Sequence, residues 1–319
     1  MTREFPQDGW SRRLLPVIWA AALLASTAAP GQVRELHTRD LTRLSEVQVA
    51  RQLERSDVVF IPVGAVEANG VMPSDRDYVS ALGFAMTMAE ETGGLYAPGL
   101  VHSYPGVTVV GASTIYMSPS QGLAHVKSLA RSLLRQGFRR QVWISVSHGP
   151  AALTVGTLAR QFFEEEHVPI LYVDMDRHMV KMKIAPADRS HTIYGAHAIT
   201  GRLVDIPLSS DYDLSVLEAH EDGPENEGLA KLRQLGFSGS LNLGSWMTDV
   251  LAHAGSLGLA ETPEQRQEWA EVGRAQIRAI VEKMRLPEAM DALREHDRFT
   301  QEVLVPKFRD RLPRAIDSQ

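Results

Sequence analysis

Two carboxylates and one imidazole occupy positions from which they could bind a divalent metal ion together. Glu67 and His148 each follow a short apolar run, and Asp77 lies ten residues after Glu67, beyond a loop that contains Gly and Pro. Carboxylate oxygens and imidazole nitrogens are common ligands of Zn²⁺ and Mn²⁺. A loop of this length can fold back, so we predict a metal site at Glu67, Asp77 and His148. The alternative is that Asp77 belongs to a solvent-exposed charge cluster with its neighbours.

The elements that must position these residues are typical of a parallel sheet. The runs 57–63, 141–147 and 169–173 are apolar and rich in β-branched residues, as buried parallel strands are. Helical patterns and helix end signals predict helices over 80–91, 120–136, up to about 166, and 263 to about 284. This alternation predicts an α/β fold, with a mostly parallel sheet between two layers of helices. Glu67 and His148 then lie at the carboxyl ends of strands, where such sheets collect their binding sites.

Composition restricts the class of protein. A chain of 319 residues with 44% hydrophobic and 23% charged residues forms one large domain or two smaller ones, and is not wholly disordered. The absence of Cys excludes disulfides, thiolate metal ligands and a Cys nucleophile. A net charge of −6 argues against a nucleic-acid partner. The chain also lacks a Gly-x-Ser-x-Gly elbow, which argues against a serine hydrolase.

Residues 1–30 are predicted to be an export signal. Three arginines precede the apolar stretch 14–24, and small residues follow it, which are the three parts of a secretory signal. The Arg-Arg pair also resembles part of a twin-arginine signal. Because the stretch is short for a membrane span, we expect a periplasmic or secreted protein without stable membrane association; an uncleaved anchor is the alternative. We assign the main domain to 31–290 and a charged helical tail to 291–319.

Four segments, between about residue 42 and about residue 285, resemble the creatininase family of metal-dependent amidohydrolases. The first family motif reads Gly-Ser-x-Glu-Gln-His-Gly-Pro-His-Leu-Pro-Leu-x-Thr-Asp. This chain, one residue shorter there, retains five of its residues: Gly64, Glu67, Gly70, Pro73 and Asp77. The other three motifs resemble segments 111–117, 137–140 and 146–151. The order and spacing of the four segments carry the resemblance.

The resemblance implies a three-layer α/β/α fold, a homo-oligomer and hydrolysis of a C–N bond in a small linear or cyclic amide. Glu67, Asp77 and His148 match three metal ligands of the family, in which the Asp bridges two ions that polarise a carbonyl and activate water. We expect four residues to contact the substrate: Asn69, Ser113, Thr114 and Trp246.

Several ligand positions of the family are changed in this chain. Asn69 stands where the family has His, and Pro150 stands where some members have Glu. The second-half motif, His-Ala-Gly-Glu-x-Glu-Thr, resembles the chain at His197, but Thr200 and Arg202 occupy the positions of its two Glu. Since Asn is a poor replacement for imidazole and Pro has no ligand atom in its side chain, we expect one ion, Zn²⁺ or Mn²⁺, rather than two.

The residues that would transfer protons are less defined by the sequence. We expect His197 and Glu225 in this role, although His220 with Glu225 also keeps the spacing of the second-half motif, and His197 could be structural. Residues 185–245 are predicted to be long loops or an insertion over the site, or a subunit contact. Two other functions stay open: a metal-free binding or assembly protein, and an isomerase or lyase.

Overall fold

Four short strands form one parallel sheet at the centre of the molecule. In this computed structural model the described residues are 36–99, 113–146, 150–183, 186–213, 227–236, 258–309 and 311–312. The strands are β1 (Val58–Pro62), β2 (Leu95–Tyr96), β3 (Arg140–Ser145) and β4 (Leu171–Asp174). Their order in the sheet is β2-β1-β3-β4, and every neighbouring pair is parallel. The three apolar runs therefore form strands as predicted.

Helices follow the strands along the chain. Those of the described residues are α1 (Glu46–Leu53), α2 (Arg76–Thr92), α3 (Pro119–Gln136), α4 (Pro150–Glu166), α5 (Met175–Lys181), α6 (Pro186–Ile199), α7 (Glu227–Gln234), α8 (Pro263–Lys283), α9 (Leu286–Phe299) and α10 (Val305–Phe308). The predicted start signals of α3 and α8 act as such: Ser118 and Thr262 cap the helices, each followed by Pro at the first position.

Helices cover both faces of the sheet. Phe60 and Ile144 belong to an apolar core that also contains residues of α2, α5, α6, α8 and α9. On the other face, Gln141 donates a hydrogen bond to the carbonyl of Ala130 in α3 over 2.8 Å, and Trp143 is fully buried. Because strand side chains alternate between faces, the sheet is the middle of three layers. The predicted α/β class, with a parallel sheet between two layers of helices, is confirmed.

Helix α2 begins four residues earlier than the sequence pattern indicates. The predicted start was residue 80, whereas the helix begins at Arg76. Asp75 occupies the position before the helix but makes no side-chain cap, because its carboxylate is bound by Arg202 instead. The usual start signal is thus absent, and the first turn reads as a charged loop. One consequence is that Asp77 lies in the first turn of a helix.

The prediction of long loops over 185–245 is wrong for its first part, because residues 186–199 form helix α6. A Cβ atom at Gly195 would lie 2.5 Å from the backbone nitrogen of Arg274 in α8. A Cβ atom at Gly83 in α2 would lie 2.7 Å from Ala196. Helix α6 therefore packs closely against two helices, so it lacks the one-sided apolar pattern by which a surface helix is recognised. Its Gly marks a close helix contact rather than a turn.

Several predictions concern residues outside the described ranges or are not tested by the fold. The export signal over 1–30 lies outside the described residues, as do residues 214–226 and 237–245. The division at residue 290 stays a prediction, while α9 begins at Leu286 and contributes Leu286 and Met290 to the core. Among the described residues, no helix is long and apolar enough to cross a membrane.

Candidate functional site

The loop between β1 and α2 folds back on itself at the carboxyl end of the sheet. The backbone N–H of Glu67 donates to the carbonyl of Ser74 over 2.9 Å, and that of Met72 donates to the carbonyl of Asn69 over 3.0 Å. At the base of the loop, a Cβ atom on Gly64 would lie 2.8 Å from the carbonyl carbon of Asp77. Only Gly allows the end of β1 to approach the first turn of α2 so closely. The fold-back expected from the loop length is present.

Both carboxylates of this segment are buried. Glu67 is 3% exposed and Asp77 is 7% exposed, so neither belongs to a solvated surface cluster. Arg76 donates from Nε and Nη2 to Oδ1 of Asp77, over 3.2 and 3.1 Å. The first turn of a helix also favours negative charge. The segment therefore holds two buried carboxylates, one of which has an oxygen bound by a guanidinium.

Asn69 is held in a fixed orientation in the same loop. Its side chain is 1% exposed, and Nδ2 donates to the carbonyls of Pro73 and Ser74 over 3.4 and 3.2 Å. The side-chain oxygen Oδ1 is buried and accepts no hydrogen bond from any described residue. An unsatisfied buried oxygen is unusual in a native protein. The loop therefore holds one buried acceptor that is not used by the described residues.

Segment 113–117 lies against this loop. Thr114 Oγ1 accepts a hydrogen bond from the backbone N–H of Ala68 over 3.0 Å, and the N–H of Ile115 donates to the carbonyl of Val66 over 2.9 Å. Ser113 is exposed. The hydroxyl of Thr114 thus supports the loop that carries Glu67 and Asn69. Substrate contact by Thr114 or Ser113 stays a prediction.

An open cleft of about 680 Å³ lies beside the loop. Loop residues 70–75 form one side, and Arg202, Asp205 and Tyr212 lie on the other. Arg202 binds Asp75 in a bidentate pair, over 2.5 and 3.1 Å, and its Nε donates to Asp205 over 2.7 Å. The hydrogen bond to Asp75 is the largest cause that raises the pKa of Arg202, so the guanidinium remains charged. Three charged side chains of the cleft wall, those of Asp75, Arg202 and Asp205, are therefore joined by hydrogen bonds and form an ion network.

In the sequence, Arg202 is notable only because it stands where the second-half motif of the family has Glu. Its partner Asp75 lies 127 residues earlier in the chain, so no local pattern could have paired them. The charged segment 75–77 is the sequence feature that relates to this pairing, because Asp77 binds Arg76 and Asp75 binds Arg202.

His197 lies in the last turn of α6 and has no exposed surface. Its Nδ1 donates to the carbonyl of Ile193 over 2.9 Å, which leaves Nε2 as the acceptor nitrogen, without a partner among the described residues. Burial lowers the pKa of His197, and the positive charge of Arg202 lowers this pKa further. The ring is therefore neutral at pH 7. It is not among the described residues that line the cleft, and its role as a base stays a prediction.

The carboxyl ends of β1, β3 and β4 meet at one edge of the sheet. Val63 donates to the carbonyl of Ile144 over 2.7 Å, and Ser145 is paired in register with Asp174. The end of β3 thus lies beside the start of the β1–α2 loop. His148 itself lies outside the described residues, as do His220, Glu225 and Trp246. Within the described ranges, no three His, Asp or Glu residues form a group that could hold a metal ion.

Asp174, the acid at the end of β4, has a local structural role. Its carboxylate accepts from the backbone N–H of Arg177 over 3.1 Å and caps α5. Next to it, Ser145 Oγ and Tyr172 OH share a 2.8 Å hydrogen bond, and burial raises the pKa of Tyr172 to about 12.

Part of the chain matches the model of one protein family. Residues 42–200 match the family model Creatininase, described as creatinine amidohydrolase. No curated protein matches the chain.

Solved structures with a similar fold carry related names. A putative creatinine amidohydrolase from Bacteroides fragilis is 16% identical, with a TM-score of 0.49, over 81% of this chain and 96% of its own. A manganese creatininase is 17% identical, with a TM-score of 0.47, over 78% and 98%. A Zn-Zn form of a mutant creatininase is 17% identical, with a TM-score of 0.46, over 78% and 97%. At these values, structural similarity alone defines neither the fold nor the ligands of this chain.

Proposed function

We propose, since the chain belongs to the creatininase family over residues 42–200, that it is a metal-dependent hydrolase of a C–N bond in a small linear or cyclic amide. The family supports an amidohydrolase-type fold. The observation that carries the proposal is the β1–α2 loop, which buries Glu67, Asn69 and Asp77 together at the carboxyl edge of the sheet. Carboxylate oxygens are common ligands of divalent metal ions.

The described donors fit such an ion. Glu67 and Asp77 supply buried carboxylates, and the unsatisfied oxygen of Asn69 shows that the loop holds acceptor capacity that the described residues do not use. With His148 they would hold one Zn²⁺ or Mn²⁺. When bound, the ion supplies polarisation of the scissile carbonyl and lowers the pKa of the attacking water.

One ion, rather than two, agrees with the surroundings of Asp77. A carboxylate that bridges two ions must give one oxygen to each. Here Oδ1 of Asp77 accepts two N–H groups from Arg76, which leaves Oδ2 for a single ion.

The chain's own residues would then bind the substrate and move protons. The cleft beside residues 70–75 admits a small molecule, and Tyr212 lies on its wall. We keep His197 and Glu225 as proposed proton carriers. For His197, the lowered pKa keeps the ring in the neutral form that can accept a proton.

We extend the proposal to location and assembly. The charged, apolar and small-residue pattern of residues 1–30 supports export to the periplasm or the medium. The partners proposed are a small amide substrate and further copies of the same chain.

Metal analysis of the full-length protein and of its exported form tests the proposal. We expect about one equivalent of Zn²⁺ or Mn²⁺ that survives gel filtration. His148→Ala should lose it, and His125→Ala, which changes an exposed imidazole on α3, should retain it. Absence of metal from wild type together with an unchanged melting temperature in chelator would overturn the hydrolase proposal.

A second candidate function has specific observations in its favour. Asn69 and Pro150 replace family ligands, and Arg202 is engaged in an ion network. These changes favour a metal-free binding or assembly protein, which the same metal analysis separates from the enzyme. Product analysis on cyclic amides distinguishes hydrolysis, which adds water across a C–N bond, from isomerisation or elimination.

A further inference from the structure

The residue before helix α2 has a side chain that its own helix does not use. Ser118 and Thr262, which occupy the same position before α3 and α8, have extended backbones, and each accepts a backbone N–H group of the helix that follows. Asp75 instead has φ −98° and ψ 19°, and its carboxylate accepts no N–H group of α2. Since Asp is a favoured capping residue, its carboxylate is engaged elsewhere rather than unsuited to the role.

The partner of Asp75 is a guanidinium group on a rigid support. The backbone N–H of Arg202 donates to the carbonyl of His197 over 2.6 Å, and that of Gly201 donates to the carbonyl of Ala198 over 3.2 Å. With Gly201 at φ 75°, these are the two bonds of a Schellman motif at the end of α6. Nη1 and Nη2 of Arg202 then bind both carboxylate oxygens of Asp75. The backbone of Arg202 is therefore fixed by α6, and a bidentate pair leaves Asp75 little freedom.

The position of Asp75 determines that of the carbonyl which closes the β1–α2 loop. This carbonyl belongs to Ser74 and accepts both the backbone N–H of Glu67, over 2.9 Å, and Nδ2 of Asn69, over 3.2 Å. It shares one planar peptide group with the nitrogen of Asp75. A displacement of Asp75 therefore moves the acceptor on which both loop contacts depend.

The same pair joins the two sides of the cleft. Asp75 belongs to the side formed by the loop, and Arg202 belongs to the opposite side. Arg202 also lies just beyond residues 42–200, which match the family model. The pair therefore connects the loop of the candidate site to a residue outside the matched region.

We propose that Arg202 is a positioning residue, which holds the β1–α2 loop closed through its bidentate pair with Asp75 and so keeps Glu67 and Asn69 in their buried positions. Without the pair, the loop opens more often while the sheet and α6 stay folded. The value of this for catalysis rests on the proposed function. The opening itself is measured without substrate or metal, so the two proposals can fail separately.

Amide hydrogen exchange of the full-length protein under native conditions tests the proposal. The probes are the backbone N–H groups of Glu67 and Met72, which make the hydrogen bonds within the loop. The variants are Arg202→Gln and Arg202→Lys. The matched control is Arg139→Gln, which breaks another bidentate pair, with Asp297 of α9, over 2.7 and 2.9 Å. The two pairs are similarly exposed, at 36% and 23% for the first and 41% and 15% for the control.

The expected pattern separates loop positioning from general stability. Arg202→Gln should raise the exchange rates of both probes about fivefold, the upper end for a partly exposed ion pair. Arg202→Lys keeps the charge but loses the planar fork, so its rates should lie between those of wild type and Arg202→Gln. Raising NaCl to about 1 M should increase the rates in wild type and have little effect in Arg202→Gln, because salt screens the pair. Arg139→Gln should leave both probes unchanged.

Two results would overturn the inference. If Arg202→Gln exchanges like wild type, the apolar cluster that Met72 shares with Tyr194 and Ile206 holds the loop by itself. If Arg139→Gln raises the rates as much as Arg202→Gln does, the effect is a general loss of stability and not a change in the loop. Should Arg202→Gln fail to fold, Arg202→Lys and the salt dependence of wild type decide in the same way. A positive exchange result in a protein that binds no metal would keep Arg202 as a positioning residue and remove only its link to hydrolysis.

Discussion

Replacing Gly195 by Ala should destabilise the protein, although the same change in an open helix position should stabilise it. The new Cβ atom would lie 2.5 Å from the backbone nitrogen of Arg274 and 2.7 Å from the carbonyl oxygen of Gly273. Favourable contacts begin at about 3.5 Å. Both neighbours are backbone atoms of α8, so no side chain can rotate away, and the two helices must separate by roughly 1 Å.

The magnitude follows from two opposing effects. Overpacking of this kind costs about 1–3 kcal/mol, and the rigid backbone on both sides places Gly195→Ala at the upper end. Ala gains about 1 kcal/mol over Gly in a helix. The net loss is then about 2 kcal/mol, or about a 30-fold change in the folding equilibrium. In the matched control, Gly156→Ala in α4, the Cβ atom meets nothing within 4 Å, so we expect a gain of about 0.5–1 kcal/mol.

Equilibrium denaturation in guanidinium chloride measures both variants. The midpoint should fall for Gly195→Ala and rise for Gly156→Ala, with similar slopes. Equal stability of the two variants would refute the packing of α6 against α8 and, with it, the placement of His197 in a buried helix.

Three further predictions concern titration and the ion network. In the unfolded chain a His takes up a proton below about pH 6.5, whereas burial lowers the pKa of His197 in the folded protein. Wild type should therefore lose more stability between pH 7 and pH 5 than His197→Gln does. Urea denaturation at both pH values measures the difference. Since burial raises the pKa of Tyr172 to about 12, absorbance titration should show a late tyrosinate component that Tyr172→Phe removes. A double-mutant cycle of Asp75→Asn and Arg202→Gln should give a coupling of about 1 kcal/mol, because the pair is partly exposed; a value near zero would contradict the network.

The strands could be predicted because their burial leaves a direct mark in the sequence. The run 57–63 contains β1, and 141–147 contains nearly all of β3, because strands covered on both faces are rich in apolar residues, as Val58–Pro62 and the centre of β3 are. Helix ends were predictable where a capping residue acts through its own side chain, as Ser118 does for α3. At α2 the expected cap residue, Asp75, binds a distant arginine, and the helix start was misplaced.

The candidate site was predictable only in its local part. Glu67 and Asp77 belong to one loop, and the loop length allowed their approach to be expected. The closing contact at Gly64, the fixed amide of Asn69 and the pairing of Asp75 with Arg202 all depend on backbone positions set by the tertiary fold. Such contacts leave no periodic pattern, since their partners are either single atoms of the backbone or residues far along the chain.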